Sequence, residues 1–431
     1  MSLAGATTPM QTSPIKAVDA HVVSASEDFL VHTPPLPQCE VCIIVPVRNE
    51  AATLATTLSA LAKQTDLNGY VFERDRYEII LLANNCSDAS AAIAHRFAEH
   101  HSDLNLHIVE RTLPPQEAYI GRVRQLLMNE AHRRLSQLGR KRGVIASTDG
   151  DSRVSSTWIA AILEEIANGA DAVGGRIMLD PVGLAQLAPY TRACHLREVG
   201  YRSLIAELES YLDPNPDDPA PRHFQHYGAS FAVTAEIYAQ AGGMPLVRTP
   251  EDVALYKALQ RVNARFRHSP KVRVTTSARQ IGRTELGLAN QLSVWTAMGQ
   301  QHQPFLVESG TEVAARLRSR YQLRLLWEKI LCGHQPSDRE VQSMAQQLGI
   351  TADWLQTQLT QPQTLGLLME QIEHRQQQEQ IWSQRWSKVS IEQAIQQLRL
   401  ELHCAKQTSR TSELSLFRGC LKSIRCCRNP P

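Results

Sequence analysis

The stretch Val41-Cys42-Ile43-Ile44-Val45-Pro46-Val47-Arg48-Asn49-Glu50 passes from an unbroken apolar run through a proline to a polar cluster. An apolar run this short, closed by a breaker, predicts a strand buried on both faces over 41–45. Leu54, Leu58 and Leu61 then recur at helical spacing, so the unit reads as strand, loop and helix. The alternation continues outward from it. Ile79 to Ala83 predicts a strand, with a helix from about Asp88; Leu106 to Val109 precedes Val123, Leu126, Leu127, Ala131 and Leu135 at helical spacing. Val144 to Ser147 precedes Trp158, Ile159, Ile162, Leu163 and Ile166, and Ala172 to Ile177 is a further strand. Strands and helices trading places in this way predict crossover units, hence an α/β class with a mainly parallel sheet flanked by helices. Ligands on such sheets bind beyond the carboxyl ends of the strands, so the chemistry is sought in those loops.

Further along, 184–212 reads as mostly helical, and the four prolines within Asp213 to Pro221 predict a flexible loop. Tyr227 to Val233 reads as a strand, Ala235 to Ala241 as a helix stopped by Gly242 and Gly243, and Glu251 to Val262 as another helix. Beyond about Gly310 the texture turns helical and glutamine-rich, with an all-helical carboxyl-terminal extension expected. The expected organisation is a flexible Ser/Thr/Pro-rich leader over 1–38, an α/β domain over 39–309, a helical extension over 310–405 and a basic tail over 406–431.

Composition narrows the class. In a chain of 431 residues, 43% hydrophobic and 20% charged, 45 Lys and Arg against 43 Asp and Glu leave a net charge of +2. Such a chain is neither disordered nor a broadly basic nucleic-acid coat. Nine scattered cysteines and the lack of a signal segment predict reduced thiols and a cytoplasmic location. Cys39 and Cys42 form a CxxC, but with no second pair they read as the entry to the first strand. No run approaches the roughly 18 apolar residues of a membrane span, so any membrane work is expected to be peripheral. The tail from Lys406 holds six basic residues against Glu413, beside Leu416, Phe417, Leu421 and Ile424. It reads either as a solvated terminus or as a contact with the inner face of an anionic membrane. Ser337 to Leu359 reads as helix, turn and helix. Its second helix contains no Lys or Arg and carries Asp353, which argues against DNA and for helical packing or homo-oligomer formation.

The loops supply the candidate site residues. Asn49 is placed to cap the helix after the first strand, and Asn84-Asn85-Cys86-Ser87-Asp88 is a second polar strand exit suited either to capping or to a base or ribose. In Thr148-Asp149-Gly150-Asp151, residues two apart point the same way in extended backbone, so both aspartates can face one hard cation; an ordinary Asp-Gly turn is the other reading. Glu251 and Asp252 open a helix, where acids are favoured by the dipole alone but can also take a proton from a hydroxyl. Gly121-Arg122-Val123-Arg124 begins another helix, and Arg279 and Arg283 follow a strand-like run; each arginine suits either an anion or solvent.

In order, Val45 to Glu50, Asn84 to Asp88, Gly121-Arg122, Thr148 to Asp151, Tyr227 to Phe231, the Gly242-Gly243 pair and Pro250-Glu251-Asp252 resemble the family 2 glycosyltransferases of the GT-A fold, over about residues 40 to 285. The resemblance implies a GT-A-like, Rossmann-related sheet and an inverting, hexosyltransferase-type reaction that moves a sugar from a nucleotide-diphosphate donor to an acceptor hydroxyl. It places Pro46, Val47, Glu50, Asn85, Asp88, Arg122 and Asp149 on the nucleotide, and Asp149 and Asp151 on Mg²⁺ or Mn²⁺. Gly228, Ser230 and Phe231 would border the donor sugar and acceptor. Asp252, in preference to Glu251, would serve as the base. The family's paired aspartates of the second loop are Asn84 and Asn85 here, so UDP, GDP and dTDP donors all stay open, and His268 is one candidate for a third metal ligand. Two rivals remain: a nucleotidyltransferase or sugar-phosphate-specific enzyme on a similar sheet, which would carry a Gly- and Lys-rich loop in place of Arg48-Asn49-Glu50, and a catalytically silent scaffold.

Overall fold

A computed structural model describes residues 29–282, 287–361 and 363–426, with side chains through 408. The chain forms two compact units, one comprising residues 1–192 with 225–303 and the other 193–224 with 304–431. The first contains β1 (Val41–Val47), α1 (Leu54–Ala62), β2 (Tyr77–Asn84), α2 (Ser90–His100), β3 (Leu106–Arg111), α3 (Ile120–Gln137), β4 (Val144–Ser147), β5 (Ser152–Val154), α4 (Trp158–Ala167), β6 (Ala172–Leu179) and α5 (Pro181–Gln186). Helix α6 (Pro189–Leu212) follows in the chain, with residues 193–212 counted in the second unit. The first unit resumes with β7 (Phe231–Thr234), α7 (Ala235–Gln240), α8 (Glu251–Arg261), β8 (Phe266–Thr276) and α9 (Leu288–Gln300).

The eight strands form one sheet in the order β3-β2-β1-β4-β7-β6-β8-β5. Pairs β2–β3, β1–β2, β1–β4 and β6–β8 are parallel, while β7 runs against both its neighbours and β5 against β8. The sheet is therefore mainly parallel, as the alternation predicts. Strand β1 is buried at every position because it is covered on both faces. Val41, Ile43, Val45 and Val47 pack with Leu54, Leu58 and Leu61 of α1 and Trp158, Ile159 and Ile162 of α4. Cys42 and Ile44 point the other way, toward Val123, Leu127 and Ala131 of α3 and Leu255 and Leu259 of α8. Period-2 alternation in the strand, matched to a 3.6-residue period in each helix, produces the two layers.

Several expectations are corrected. Residues 29–38 of the expected leader are packed: Val31 is buried, Arg133 lies over the Phe29 ring, and Arg134 donates to the Thr33 carbonyl at 2.7 Å. Residues 1–28 lie outside the described residues. The strand expected over 227–233 begins at Phe231, because 228–230 form a 3₁₀ turn.

The unit boundary also differs from 310, since 193–224 group with the carboxyl-terminal helices. Arg320 pairs with Glu209 and Asp213, Arg324 with Asp213, and Lys406 with Glu207, contacts that a reading in chain order misses. The proline-rich segment is held by buried Asp213 and Asp218, the latter paired with Arg222, and is thus more ordered than a flexible loop.

The second unit contains β9 (Leu306–Val307), α10 (Gly310–Leu331), α11 (Asp338–Leu348), α12 (Ala352–Leu359), α13 (Leu365–Gln378), α14 (Ile381–Arg385), β10 (Val389–Ser390) and α15 (Ile391–Cys426). Leu323 and Trp327, Val341 and Met344, Leu355, and Leu368 and Ile372 bring α10, α11, α12 and α13 into one core. Ser337 and Glu340 form a capping box at the start of α11, and Gly349 ends it at φ 71°, so the expected helix, turn and helix is present. The tail expected from 406 is a continuation of α15 as far as 426, and its side chains beyond 408 lie outside the described residues. Among the described residues, no helix is long and apolar enough to cross a membrane.

Candidate active site

The loops at the carboxyl ends of β1, β2 and β4 meet. Asn49 and Asn85 both adopt positive φ, 57° and 50°, a region asparagine tolerates better than most residues. Asn49 does not cap α1, whose cap is Thr53; its Oδ1 instead accepts from Ser87 N at 2.7 Å and ties the first exit to the second. The Asn85 amide is engaged on both sides by Leu113, donating to its carbonyl at 2.9 Å and accepting from its N–H at 3.0 Å. Asp88 accepts from Ala51 N at 3.0 Å and Ser90 N at 2.9 Å. Asn85 and Asp88 thus brace the loops of the expected nucleotide site.

Pro46 and Val47 end β1 in the core, next to Gly150, whose added Cβ would lie 3.2 Å from Val47 Cγ2. Thr57 Oγ1 donates to the Gly150 carbonyl at 3.0 Å, pinning the aspartate turn to α1. The two aspartates flanking Gly150 meet different guanidiniums. Asp149 pairs with Arg124, and Asp151 stands 3.2 Å from Arg279, which also grips both oxygens of buried Glu50 at 2.8 and 2.9 Å. A cavity of about 900 Å³ opens beside Asp151 and Arg279, lined also by Thr53, Arg153, Asp180 and Thr276. Arg283 lies outside the described residues.

Arg124 organises the other side. Its guanidinium is buried and paired with both Asp149 and Glu251, and it stays charged because these acids outweigh the cost of burial. Gly228 makes room for it, since a Cβ there would overlap the guanidinium; Gly121 likewise lets α3 begin against the Val247 carbonyl. Half-buried Asp252 accepts from Gly228 N at 2.9 Å and from Val253 N at 2.8 Å. Burial pushes the Asp252 carboxyl up, against the pull of Arg124 and these two amides. Burial, opposed by Arg124 and reinforced by Asp252, raises Glu251 to about 7. Two carboxyls with raised proton affinity thus sit on one helix turn beside a fixed cation.

Of the expected residues, Asp149, Glu251, Asp252 and the Gly228 backbone come together around Arg124. Arg122 does not join them; it bonds Glu117 and Gln125. The expectation for Ser230 and Phe231 is corrected. Both are buried, Ser230 Oγ accepting from the Trp158 indole at 3.0 Å and Phe231 packing its ring against Phe266, so neither borders an open site. His268 is also buried, in an aromatic cluster with His226, Tyr256 and Phe266. It forms no ligand group with Asp149 and Asp151. Arg124, read alongside Arg122 as a candidate for an anion but not assigned to the site, is the arginine that meets the acids. The signal was available, because Arg124 shares the buried stripe of Leu127, Met128 and Ala131 at helical spacing.

For a metal, Asp149 and Asp151 offer hard oxygen donors. Mg²⁺ and its analogues use one or two such carboxylates, with water and phosphate oxygens completing the shell, so the donor set fits.

A mainly parallel sheet whose strand ends gather acids, arginines and a cavity defines an α/β protein with a candidate site at those strand ends. Residues 42–219 match the model of the family described as Glycosyl transferase family 2. The glycosyltransferase AglE of Haloferax volcanii is 25% identical over 138 residues, covering 32% of this chain and 39% of that protein, so the chain spans about two fifths of the relative's length. Among solved structures, the mannosyltransferase PcManGT of Pyrobaculum calidifontis, in complex with GDP-Man and Mn²⁺, is similar at 15% identity and TM-score 0.38, over 87% of this chain and 90% of that one. TarS 1-349 of S. aureus, in complex with UDP-GlcNAc, is similar at 15% identity and TM-score 0.39, over 72% and 71%.

Proposed function

We propose that the chain is an inverting, metal-dependent glycosyltransferase that moves a sugar from a nucleoside-diphosphate donor to an acceptor hydroxyl. The observation that carries this reading is the convergence of Asp149, from the turn after β4, with Glu251 and Asp252, from the start of α8, on the buried Arg124. Asp149 and Asp151 would hold Mg²⁺ or Mn²⁺, which neutralises charge on the diphosphate leaving group when bound. The loops after β1 and β2, with Pro46, Val47, Glu50, Asn85 and Asp88, would seat the nucleoside, and Arg122 stands at the start of α3, where a helix amino end favours phosphate.

Asp252 is the base in this reading. Its raised affinity for a proton suits removal of one from a hydroxyl near neutral pH, and the Gly228 and Val253 amides fix the carboxylate's direction. The acceptor oxygen would then attack the anomeric carbon in a single displacement, forming the new glycosidic bond as the bond to the diphosphate breaks. Glu251, locked to Arg124, holds the guanidinium in place.

A thermal-shift panel of UDP-, GDP- and dTDP-sugars, with and without Mn²⁺, tests this reading. A ligand that binds only the native state raises the melting temperature by mass action. One nucleotide should respond, and more strongly with Mn²⁺. Failure of all three to shift the transition overturns it.

A further inference from the structure

At the opposite, amino-terminal end of β1 and β2, a second polar cluster is buried in the sheet. Cys39 Sγ and Cys42 Sγ lie 3.9 Å apart, and Glu78 Oε1 stands 3.6 Å from the first and 3.3 Å from the second. All three residues are fully buried. The geometry points to a structural zinc site, with Cys39, Cys42 and Glu78 as ligands and His107 orienting the carboxylate.

Distance, charge and register support the assignment. Tetrahedral zinc with Zn–S near 2.3 Å and Zn–O near 2.1 Å has edges of about 3.8 Å between sulfurs and about 3.6 Å between sulfur and oxygen. The three observed separations match those edges within a few tenths of an ångström, so an ion fits between the ligands with little movement. Two thiolates and one carboxylate, set against Zn²⁺ and the buried Arg134 guanidinium on Glu78, leave no net charge in a dry interior. Both thiol protons leave when the metal enters.

Cys42 and Glu78 are register partners in the β1–β2 pair, so the backbone sets these two ligands side by side. Arg134 Nε donates to Glu78 Oε1 at 2.9 Å, and His107 Nε2 lies 3.1 Å from Glu78 Oε2, contacts of the kind that orient a ligating carboxylate. The CxxC lacks a second pair in the sequence because its further ligand comes from the neighbouring strand. Soft thiolates select zinc over Mg²⁺ or Mn²⁺, which separates this site from the Asp149 and Asp151 turn.

The test is the metal content of the full chain, expressed with supplemented zinc and purified without chelator. One zinc per chain should survive desalting, and replacement by Co²⁺ should give a thiolate-to-cobalt charge-transfer band. Cys42→Ser should cut retained zinc at least tenfold, whereas Asp151→Ala should keep it. If the cysteine variant fails to fold, the cobalt spectrum of the wild-type chain decides alone. Zinc-free wild-type protein, a cobalt adduct without the charge-transfer band, or undiminished zinc in a folded Cys42→Ser chain would overturn the assignment.

Discussion

Helix α3 carries two buried arginines, Arg124 near its start and Arg134 toward its end, in opposite electrostatic settings. Arg134 is matched by one carboxylate, Glu78, gripped through both oxygens. Burial alone would raise that carboxyl, but hydrogen bonds from His107 and Arg134 outweigh it and hold Glu78 at about 2. Arg124 is outnumbered, facing Asp149, Glu251 and Asp252. One guanidinium cannot satisfy three acids, so burial dominates and Glu251 rises to about 7. A matched pair makes a closed structural joint. An excess of acid around one cation makes a site with room for a further positive charge and for a proton in transit.

The largest expected effect separates the two arginines. Removing one partner of a buried ion pair costs about 3–5 kcal/mol, so Arg124→Ala and Arg134→Ala should both lower stability by that amount in urea unfolding. Only Arg124→Ala should also abolish sugar transfer and the nucleotide-dependent thermal shift. A folded Arg134→Ala protein that loses the nucleotide response would break the distinction between structural and functional ends of α3.

Next comes the base. Asp252→Asn keeps the shape of the side chain and its contact with the Gly228 amide while removing the proton acceptor. Transfer should fall by about 10²–10⁴-fold, the usual contribution of a positioned acid or base, with nucleotide affinity little changed. Unchanged turnover would remove Asp252 from that role and sharpen the case for Glu251.

These contrasts explain which features the sequence made legible. The strands of the parallel half, from Val41, Ile79, Leu106 and Val144, announce themselves because burial on both faces demands unbroken apolar runs. The acids of the site are visible because Asp149, Glu251 and Asp252 stand where a strand ends or a helix begins. The roles of Ser230 and Phe231 were not visible: a Gly-Ala-Ser turn reads the same whether its hydroxyl meets a sugar or the Trp158 indole. Strand β5 is only three residues long, with Arg153 exposed between two buried neighbours, too short for a period-2 signal. The placement of 193–224 with the carboxyl-terminal helices depends on ion pairs more than a hundred residues apart in the chain, such as Arg324 with Asp213, which no local pattern encodes.

The pH dependence follows from the excess of acid. Glu251 has an ordinary value of 4.5 and a folded value of about 7, so between those pH values the unfolded chain gives up a proton that the folded chain keeps. Its stabilising contribution is complete below about 4.5 and is lost as the pH rises to about 7, a change of about 3 kcal/mol at most. Wild-type and Glu251→Gln proteins, compared by urea unfolding across that window, should differ in slope, the variant being flatter. Parallel curves would mean that Arg124 holds Glu251 ionised, and the contrast with Glu78 would collapse.

The smallest effect concerns the neighbour of Arg124. Arg122 occupies the same helix turn, but its partners Glu117 and Gln125 lie along its own surface, and the Arg122–Glu117 pair is well exposed. Exposed pairs contribute about 0–1 kcal/mol, since water screens the charges and two long side chains lose freedom in meeting. Arg122→Ala should therefore leave the urea midpoint almost unmoved. A guanidinium at a helix start can nonetheless exchange these partners for a phosphate, so any loss should appear in nucleotide affinity and should shrink as salt is raised. A stability loss comparable to that of Arg124→Ala would show that the whole first turn of α3 is one buried charge network, and that the division drawn between its two arginines runs through the wrong residues.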